Sequence, residues 1–323
     1  MQLLILIATC GLVAMSCSRP PSGGAWRPSR PIEFVVAAGA GGGSDQLART
    51  VQAIIQKHQL IDRSVIVTNK GGGSGVEAFI YAKGAVGNPH KVIFATNNVW
   101  LIPLGSSVGY ARPDLQPVAA VAFDEFMLWV NAASPYRDVA AFLDGARRTG
   151  KRWAIAGTAS KDTDQVLVRQ IEKAGHVTLN YVPFKSGSEV AVQLAGGHVA
   201  ANVNNPQENI GHWRAGRVRP LCVFSRSRLG YALDIPTCAE GGLPIERYQM
   251  PRTVWLPKGS TDEQVAFYRD VLGKVRQTDE WKAWLQRSAQ TDAFLTGPEL
   301  MDHITADERW LRAQFTENGW IVK

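Results

Sequence analysis

The sequence predicts an α/β fold with a largely parallel sheet, and two observations support this prediction. From Pro31 onward, short runs rich in β-branched and aromatic residues alternate with segments whose apolar residues recur at helical spacing. Glycine-rich or polar loops join several of these runs to the segments behind them, and alternating strands and helices favour parallel pairing. With 323 residues, of which 45% are hydrophobic, the chain has the composition of a globular protein of about two domains.

The first part of the chain predicts two similar strand–loop–helix units. The run at 31–36 predicts a strand, and the helix behind it has Ser44 or Asp45 where an N-terminal cap belongs. The second unit has a strand at 65–67, a glycine loop at 71–75 and a helix at 76–83. Apolar runs predict three more strands, at 92–95, 117–121 and 126–130.

The alternation continues through the second half of the chain, which ends in helices. We expect helices at 134–150, 166–174 and 189–194 and strands at 153–156, 181–184, 198–203 and 218–224. The tail predicts three helices, at 265–276, 281–289 and 298–315, and two overlapping capping boxes precede the first of them. Trp281, Trp284 and Trp310 recur at helical spacing, which predicts that they pack in the core.

The chain is basic, with a formal net charge of +7. Its lysines and arginines are spread along the sequence, and no basic arm with interleaved aromatic residues occurs. Because nucleic-acid recognition normally needs such a cluster, we expect no nucleic-acid partner. A spread positive field suits the attraction of small anions.

Residues 1–17 predict an export signal. An apolar run at 3–15 is too short to span a bilayer but fits the core of a signal peptide. The end of this segment is typical of a lipobox, in which Cys17 is acylated and anchors the mature chain to a membrane. Ordinary signal cleavage before Arg30 is the alternative. Residues 18–30 predict a flexible tether, so we expect a periplasmic protein that is lipid-anchored through Cys17.

Two cysteines lie in the body of the chain, Cys222 and Cys238. An oxidising compartment favours a disulfide between them. Two buried free thiols are the alternative, because the sequence does not tell whether the two Cα atoms lie within reach. Their spacing matches no structural zinc site, so we expect no metal.

Three strand-to-helix loops have the composition of an anion site. The loops at 39–45 and 71–75 are glycine-rich, which lets the backbone approach a ligand and point N–H groups at it. The helix behind each loop adds the positive end of its dipole. The third loop, 157–162, adds two hydroxyls and the cation of Lys161. A tight turn without a ligand is the alternative for the glycine loops, and a solvated surface charge is the alternative for Lys161.

The sequence carries no recognisable catalytic motif. It contains no G-x-S-x-G nucleophile elbow and no HExxH metal motif, and its six histidines are scattered. No nucleophile can be paired with a base from the sequence. We therefore expect a binding protein without a cofactor, and an exported α/β enzyme acting on a carboxylate substrate is the alternative.

Longer stretches carry a resemblance to a known family. These stretches are PIEFVVAAGAGGGSD, VTNKGGGSG, LNYVPFKSGSEVAVQLAGGHVAANVNNPQE, AGRVRPLCVFSRSR, DIPTCAEGGL and PRTVWLPKG. In order and spacing they resemble the periplasmic solute receptors of tripartite tricarboxylate transporters, the Bug or TctC type, from Pro31 to the end of the chain. The first glycine loop lacks the proline that many members carry there, and Thr158-Ala159-Ser160 replaces a commoner G-S/T-G pattern.

The resemblance implies a type-2 periplasmic binding fold, in which two α/β lobes joined by crossing strands close on a ligand. By analogy, the first lobe takes residues 31–128 and 248–323, and the second takes residues 129–247. The chain would cross between the lobes near 126–131 and 244–253.

The resemblance also implies which residues hold the ligand, mainly through backbone N–H groups and waters of the strand-to-helix loops. On the first lobe these are Gly39, Ala40, Gly41, Gly42, Gly43, Ser44, Asp45, Gly73, Ser74, Thr96, Asn97 and Asn98. On the second lobe they are Thr158, Ala159, Ser160, Lys161, Asn204 and Asn205. Near the hinge, Arg252 is expected to meet a second carboxylate as a bidentate partner, with a lobe-to-lobe salt bridge as the alternative.

What the family implies for function is binding without turnover. The open receptor captures a small organic anion, closes by hinge rotation and delivers it to the permease subunits of a membrane transporter. A citrate-like tricarboxylate or a dicarboxylate is favoured, because residues 205–208 and 219–221 and Arg252 are similar to the branch with citrate receptors. We expect a monomer. The alternative within the same fold is a ligand-binding partner of a sensor system, which differs in its partner and not in its site.

Overall fold

The structure, a computed structural model, describes residues 25–245 and 247–322. The predicted signal peptide, the lipobox with Cys17 and the start of the tether lie outside the described residues. The strands of the described part are β1 (Ile32–Val36), β2 (Val65–Asn69), β3 (Lys91–Ala95), β4 (Leu115–Asp124), β5 (Met127–Asn131), β6 (Ala154–Thr158), β7 (Asn180–Phe184), β8 (Ala201–Asn204), β9 (Val218–Val223), β10 (Met250–Pro257) and β11 (Thr291–Leu295).

The α-helices of the described part lie mostly between these strands. They are α1 (Gly43–Lys57), α2 (Val76–Lys83), α3 (Asn98–Gly105), α4 (Val139–Thr149), α5 (Thr163–Gly175), α6 (Gly187–Ala195), α7 (Pro206–Arg214), α8 (Asp262–Gln277), α9 (Asp279–Ser288) and α10 (Gly297–Glu317). Among these helices, none is both long and apolar enough to cross a bilayer.

The strands form two mixed sheets. The first has the order β11-β4-β10-β3-β1-β2 and the second the order β7-β6-β8-β5-β9. Parallel pairing joins β1 to β2 and β3, and β6 to β7 and β8, whereas β4, β5, β9, β10 and β11 pair antiparallel. The prediction of a largely parallel sheet is therefore wrong for about half of the strands, because the chain leaves the first sheet along β4 and re-enters it along β10.

Each sheet is covered by apolar residues on both faces. On the first sheet, one cluster packs α1, α8 and α9 against the strands and includes the buried rings of Trp281 and Trp284, and a second cluster on the other face includes Trp100, Trp255 and Phe315. The second sheet has two corresponding clusters. The core positions predicted for Trp281 and Trp284 are confirmed by their burial.

The chain passes between the sheets twice. It leaves the first sheet after Asp124 and enters the second at Met127, and it returns between Val223 and Met250. Strand β5 of the second sheet begins at Met127, two residues before the implied start of the second lobe. The lobe boundaries at residues 128/129 and 247/248 stay a prediction.

Cys222 and Cys238 form a disulfide in the structure, with a Cα–Cα distance of 4.8 Å. Both residues are buried, Cys222 in β9 and Cys238 in the segment that follows it. The bond closes a loop with a sequence separation of 16 residues. It ties this irregular segment to the second sheet.

We expect the double variant Cys222→Ala/Cys238→Ala to lose about 3 kcal/mol of unfolding free energy, because a cross-link of this loop length restricts the unfolded chain by that amount. Urea unfolding with and without reductant measures the loss. Reductant should lower the midpoint of the natural protein and leave that of the double variant unchanged. A natural protein whose midpoint ignores reductant under unfolding conditions would contradict the prediction.

Candidate functional site

A cleft of about 130 Å³ lies between the two sheets. Its walls contain residues that follow the carboxyl ends of β1, β2, β3, β6, β7 and β8, the edge at which open α/β sheets bind ligands. The first sheet contributes Ala37, Ala38, Gly39, Gly42, Gly43, Ser44, Gly71, Ser74, Thr96, Asn98, Met250 and Arg252. The second sheet contributes Thr158, Ala159, Asp162, Lys185, Ser186, Gly187, Asn204, Asn205 and Glu208.

Five helices begin at the walls of this cleft. Each has its N-cap or its first residue in the wall: Gly42 for α1, Asn98 for α3, Asp162 for α5, Ser186 for α6 and Asn205 for α7. Because a helix N-terminus carries unpaired N–H groups and a partial positive charge of about +0.5, this arrangement makes the cleft attractive to an anion. The helices come from both sheets, so an anion in the cleft would contact both lobes.

Some residues of the first glycine loop line the cleft, and others support the loop. Gly39, Gly42, Gly43 and Ser44 line the cleft, and Ala40, Gly41 and Asp45 do not. Asp45 is buried and accepts hydrogen bonds from the Gly41 N–H (2.9 Å) and from the side chains of Arg49 and Asn69. Although burial favours the neutral acid, these hydrogen bonds lower the pKa of Asp45 below its usual value. Asp45 thus holds the loop in shape and faces away from the cleft.

The two glycine loops meet in the structure. A Cβ on Gly71 would lie 2.7 Å from the backbone of Ala38 and Gly39, which leaves no room for a side chain. Gly73 and Ser74 both have a positive φ of 61°. Ser74 lines the cleft, whereas Gly73 lies in the wall of a neighbouring cavity.

Arg252 lies beneath the first glycine loop. Its guanidinium forms a buried ion pair with Asp124 and donates through Nη1 to Ser44 Oγ (3.1 Å). A Cβ on Gly43 would collide with the guanidinium, so the close approach requires glycine there. Asp124 ends β4 and Arg252 lies on the adjacent β10. The ion pair is therefore internal to the first sheet, and the lobe-to-lobe salt bridge that the sequence left open is not formed with this partner.

In the Thr96–Asn98 segment, too, only some residues line the cleft. Thr96 and Asn98 line the cleft. Asn97 is fully buried, and its Nδ2 donates to Thr163 Oγ1 (2.9 Å) and to the Tyr248 hydroxyl (2.6 Å). It joins the start of α3 to the start of α5 in the other lobe, and it is a link between lobes and not a wall of the cleft.

On the second lobe, Thr158 and Ala159 line the cleft, but Ser160 and Lys161 line the neighbouring cavity. Lys161 has a positive φ of 56°, and its Nζ donates to the carbonyl of Gly105 across the cavity (3.1 Å). The turn after β6 therefore directs these two side chains away from the cleft. The expected contact of Ser160 and Lys161 with a cleft ligand has no support in this geometry.

Asn204 and Asn205 line the cleft, and hydrogen bonds fix both amides. Asn204 Nδ2 donates to the Gly187 carbonyl (2.9 Å) and its Oδ1 accepts from the Asn205 N–H (3.0 Å). Asn205 Nδ2 donates to the Glu125 carbonyl (2.8 Å). Both side chains are thus preorganised, with Asn204 holding the α6 loop in place.

Two charged residues of the cleft, Lys185 and Glu208, were not predicted as ligand contacts, and a third, Asp162, is the last residue of the predicted loop 157–162. Lys185 lines the cleft, is exposed, and its ammonium makes no hydrogen bond or ion pair with any residue that the structure describes. Glu208 accepts from Ser188 Oγ (2.8 Å), and burial raises its pKa although the Gly43 N–H and Arg252 lie close. Burial also raises the pKa of Asp162 to about 6.

One signal could have revealed Lys185. Lys185 is the first residue of the loop Lys185-Ser186-Gly187, which lies between a predicted strand at 181–184 and a predicted helix at 189–194. This loop is a fourth strand-to-helix loop. Glu208 belongs to the stretch 205–208 that is similar to citrate receptors. Its place in the cleft was not predicted, because it lies in the first turn of a helix that the sequence did not predict.

Of the titratable groups in the described ranges, no three His, Cys, Asp or Glu side chains are placed to hold a metal ion. The chemistry available in the cleft is therefore that of N–H groups, hydroxyls, amides, two acids and two cations.

Comparison with known proteins identifies the family. A family model described as the tripartite tricarboxylate transporter family receptor, TctC, matches residues 47–291. Protein BugT of Bordetella pertussis is 26% identical over 314 residues, which cover 95% of this chain and 93% of BugT.

Solved structures show the same fold. An R. palustris protein solved with adipate superposes with a TM-score of 0.85 at 24% identity and covers 90% of this chain and 98% of its own. The Rhodopseudomonas palustris protein MatC, solved with bound malate, superposes with a TM-score of 0.77 at 18% identity and covers 91% of this chain and 98% of its own. The fold is thus the two-lobed type-2 periplasmic binding fold. Together with the match over residues 47–291, this places the chain in the family of tripartite tricarboxylate transporter receptors.

Proposed function

We propose that the chain is an extracytoplasmic receptor that binds a small organic carboxylate between its lobes and delivers it to the permease of a tripartite tricarboxylate transporter. The observation that carries the proposal is the start of five helices, from both sheets, at one cleft. A carboxylate there would accept hydrogen bonds from N–H groups of both lobes at once. A ligand that contacts both lobes favours the closed state.

The position of Lys185 supports the same proposal. Of the two cations that line the cleft, Arg252 is already paired with Asp124, whereas the ammonium of Lys185 is unpaired among the residues that the structure describes. It lines the same cleft as the α1 N-terminus, where its positive charge would balance the negative charge of a bound carboxylate.

The rest of the proposal is supported by the family resemblance. The receptor acts by binding and release, without a chemical step or a cofactor. It works in the periplasm as a monomer, with Cys17 as a lipid anchor, and its partner is the membrane permease of the transporter.

We expect Lys185→Met to weaken carboxylate binding by about tenfold or more, because a hydrogen bond to a charged group is worth about 1.5–3 kcal/mol. A thermal-shift screen of the purified chain against mono-, di- and tricarboxylates and aromatic acids finds a ligand, since 100 times its Kd stabilises by about 2.7 kcal/mol. Isothermal titration calorimetry then compares the variant with the natural protein.

Lys173→Met is the matched control, because Lys173 is exposed, pairs with Glu317 and lies away from the cleft. It should leave the affinity unchanged. The proposal is wrong if no carboxylate stabilises folded protein that has been freed of carried-over ligand.

A further inference from the structure

The cleft continues into a second, larger cavity of about 340 Å³, which we call the side cavity. Both spaces share Ser74, Ala159 and Asp162 in their walls, so they are neighbours. The side cavity lies between α3 of the first lobe and the turn after β6 of the second. At about 130 Å³ the cleft alone is close to a cavity of about 150 Å³ that holds one benzene, so a larger ligand must extend beyond it.

The side cavity is mainly apolar. Its lining includes Val76, Leu101, Ile102 and Val108, together with Ser74, Ser106, Ser160, Lys161 and Asp162. The ammonium of Lys161 donates to the Gly105 carbonyl, and Asp162 adds one acid to the same cavity. Transfer of a chain of CH₂ groups or a ring from water into this cavity is favourable. Transfer of a carboxylate is unfavourable, because most of the surface it would contact is hydrocarbon.

The charges around the cleft limit the number of carboxylates. Asp162 and Glu208 both line it, and Asp124 neutralises Arg252 behind it. Lys185 is then the single cation of the cleft wall that is unpaired among the described residues. A second or third carboxylate beside the first would find no further unpaired cation there, and the two acids would repel it whenever they are ionised.

We propose that the ligand carries one carboxylate, seated in the cleft, and an apolar body that fills the side cavity. This inference rests on the proposed function and narrows its ligand class to amphipathic monocarboxylates. It departs from the citrate-like ligand favoured by the sequence, because three carboxylates match neither the charge of the cleft nor the wall of the side cavity.

A homologous series tests the inference. Isothermal titration calorimetry with the full chain and the straight-chain acids from acetate to octanoate should show affinity rising about fourfold per methylene, the value for a CH₂ group that leaves water completely. Citrate should bind more weakly than hexanoate. The half-buried Ile102 lies in the wall of the side cavity, so Ile102→Trp should narrow the cavity and weaken octanoate more than tenfold while acetate and butyrate stay unchanged.

Ile66→Trp is the matched control, because Ile66 is 56% exposed on the edge strand β2. It should change no affinity. Short acids that bind while longer ones gain nothing would overturn this inference and leave the proposed function standing. A gain with chain length that survives Ile102→Trp, or citrate binding above hexanoate, would also overturn it. Folded protein that binds no carboxylate at all would overturn both proposals.

Discussion

Asp124→Asn is expected to lower the free energy of unfolding by about 3–5 kcal/mol, because it breaks a buried ion pair and leaves one charge without a partner. The side chains of Arg252 and Asp124 are only 4% and 2% exposed. An arginine does not lose its proton in proteins, so the guanidinium stays charged beneath the first glycine loop. Urea unfolding followed by circular dichroism measures the loss.

The reverse change, Arg252→Met, should cost less. Burial raises the pKa of Asp124 even though Arg252 lies against it, so the carboxyl can take up a proton once the arginine is gone. The double variant Asp124→Leu/Arg252→Met should recover most of the loss, since it removes both charges.

An exposed pair is the control for these variants. Lys274 and Asp270 form an ion pair with side chains that are 54% and 59% exposed, and Asp270→Asn should cost less than about 1 kcal/mol. If Asp124→Asn were as mild as this control, the ion pair would not stabilise the fold, and Ser44 and the first glycine loop would not depend on it.

The Arg252 pair illustrates how far the sequence leads. The composition of the loops at 39–45 and 71–75 predicted two glycine loops of an anion site, and the structure brings Gly71 against Ala38 and Gly39. A glycine loop between a strand and a helix is a local pattern, so the sequence carries it. Asp124 as the partner of Arg252 follows from strand pairing across 128 residues of sequence, which no local pattern encodes.

Two helices, α3 and α7, were not predicted, because neither shows a clear helical pattern in the sequence. Helix α3 is almost entirely apolar and contains Pro103, so it has no polar face to reveal a helical period. Helix α7 begins with Pro206 after Asn205, which is a turn signal as much as a helix start. These two helices supply Ile102 and Glu208, so the side cavity and one acid of the cleft could not be predicted either.

The strand β11 was missed for a different reason. Thr291–Leu295 pairs at the edge of the first sheet and its first two residues are exposed. Edge strands need few apolar residues, because one side of the ladder is open to solvent. Periodicity therefore gives little indication of them.

Two buried acids predict the pH dependence of stability. Burial, followed by the nearby charge of Asp162, raises the pKa of Asp164 to about 8, and burial raises that of Glu125 to about 7. Both side chains are buried, at 4% and 3% exposure. Asp164 accepts hydrogen bonds from the N–H (2.7 Å) and the hydroxyl (2.9 Å) of Thr158, so its state bears on the turn that enters the cleft.

The sign of the effect follows from proton binding. In the unfolded chain these carboxyls lose their protons near pH 4, whereas the folded protein keeps them until pH approaches 7 or 8. Between these values the folded state binds more protons, so rising pH favours unfolding. We expect the free energy of unfolding to fall between pH 5 and pH 8 by on the order of 4 kcal/mol from Asp164 alone, at about 1.4 kcal/mol per pH unit.

Asp164→Asn isolates this contribution. The amide oxygen can still accept hydrogen bonds from Thr158, and the amide carries no charge at any pH. The unfolding free energy of the variant should therefore decrease much less between pH 5 and pH 8, and at pH 8 the variant should be more stable than the natural protein. Asp302→Asn, on the exposed face of α10, should keep the natural slope. Below pH 6.5 the half-buried His303, whose pKa is lowered by partial burial, acts in the opposite direction, so the slope should be steepest above that pH. Urea unfolding at one-unit steps of pH measures it. A stability that is flat from pH 6.5 to 8 would mean that Asp164 is ionised in the folded protein, and that the turn at Thr158 brings a full negative charge close to the cleft.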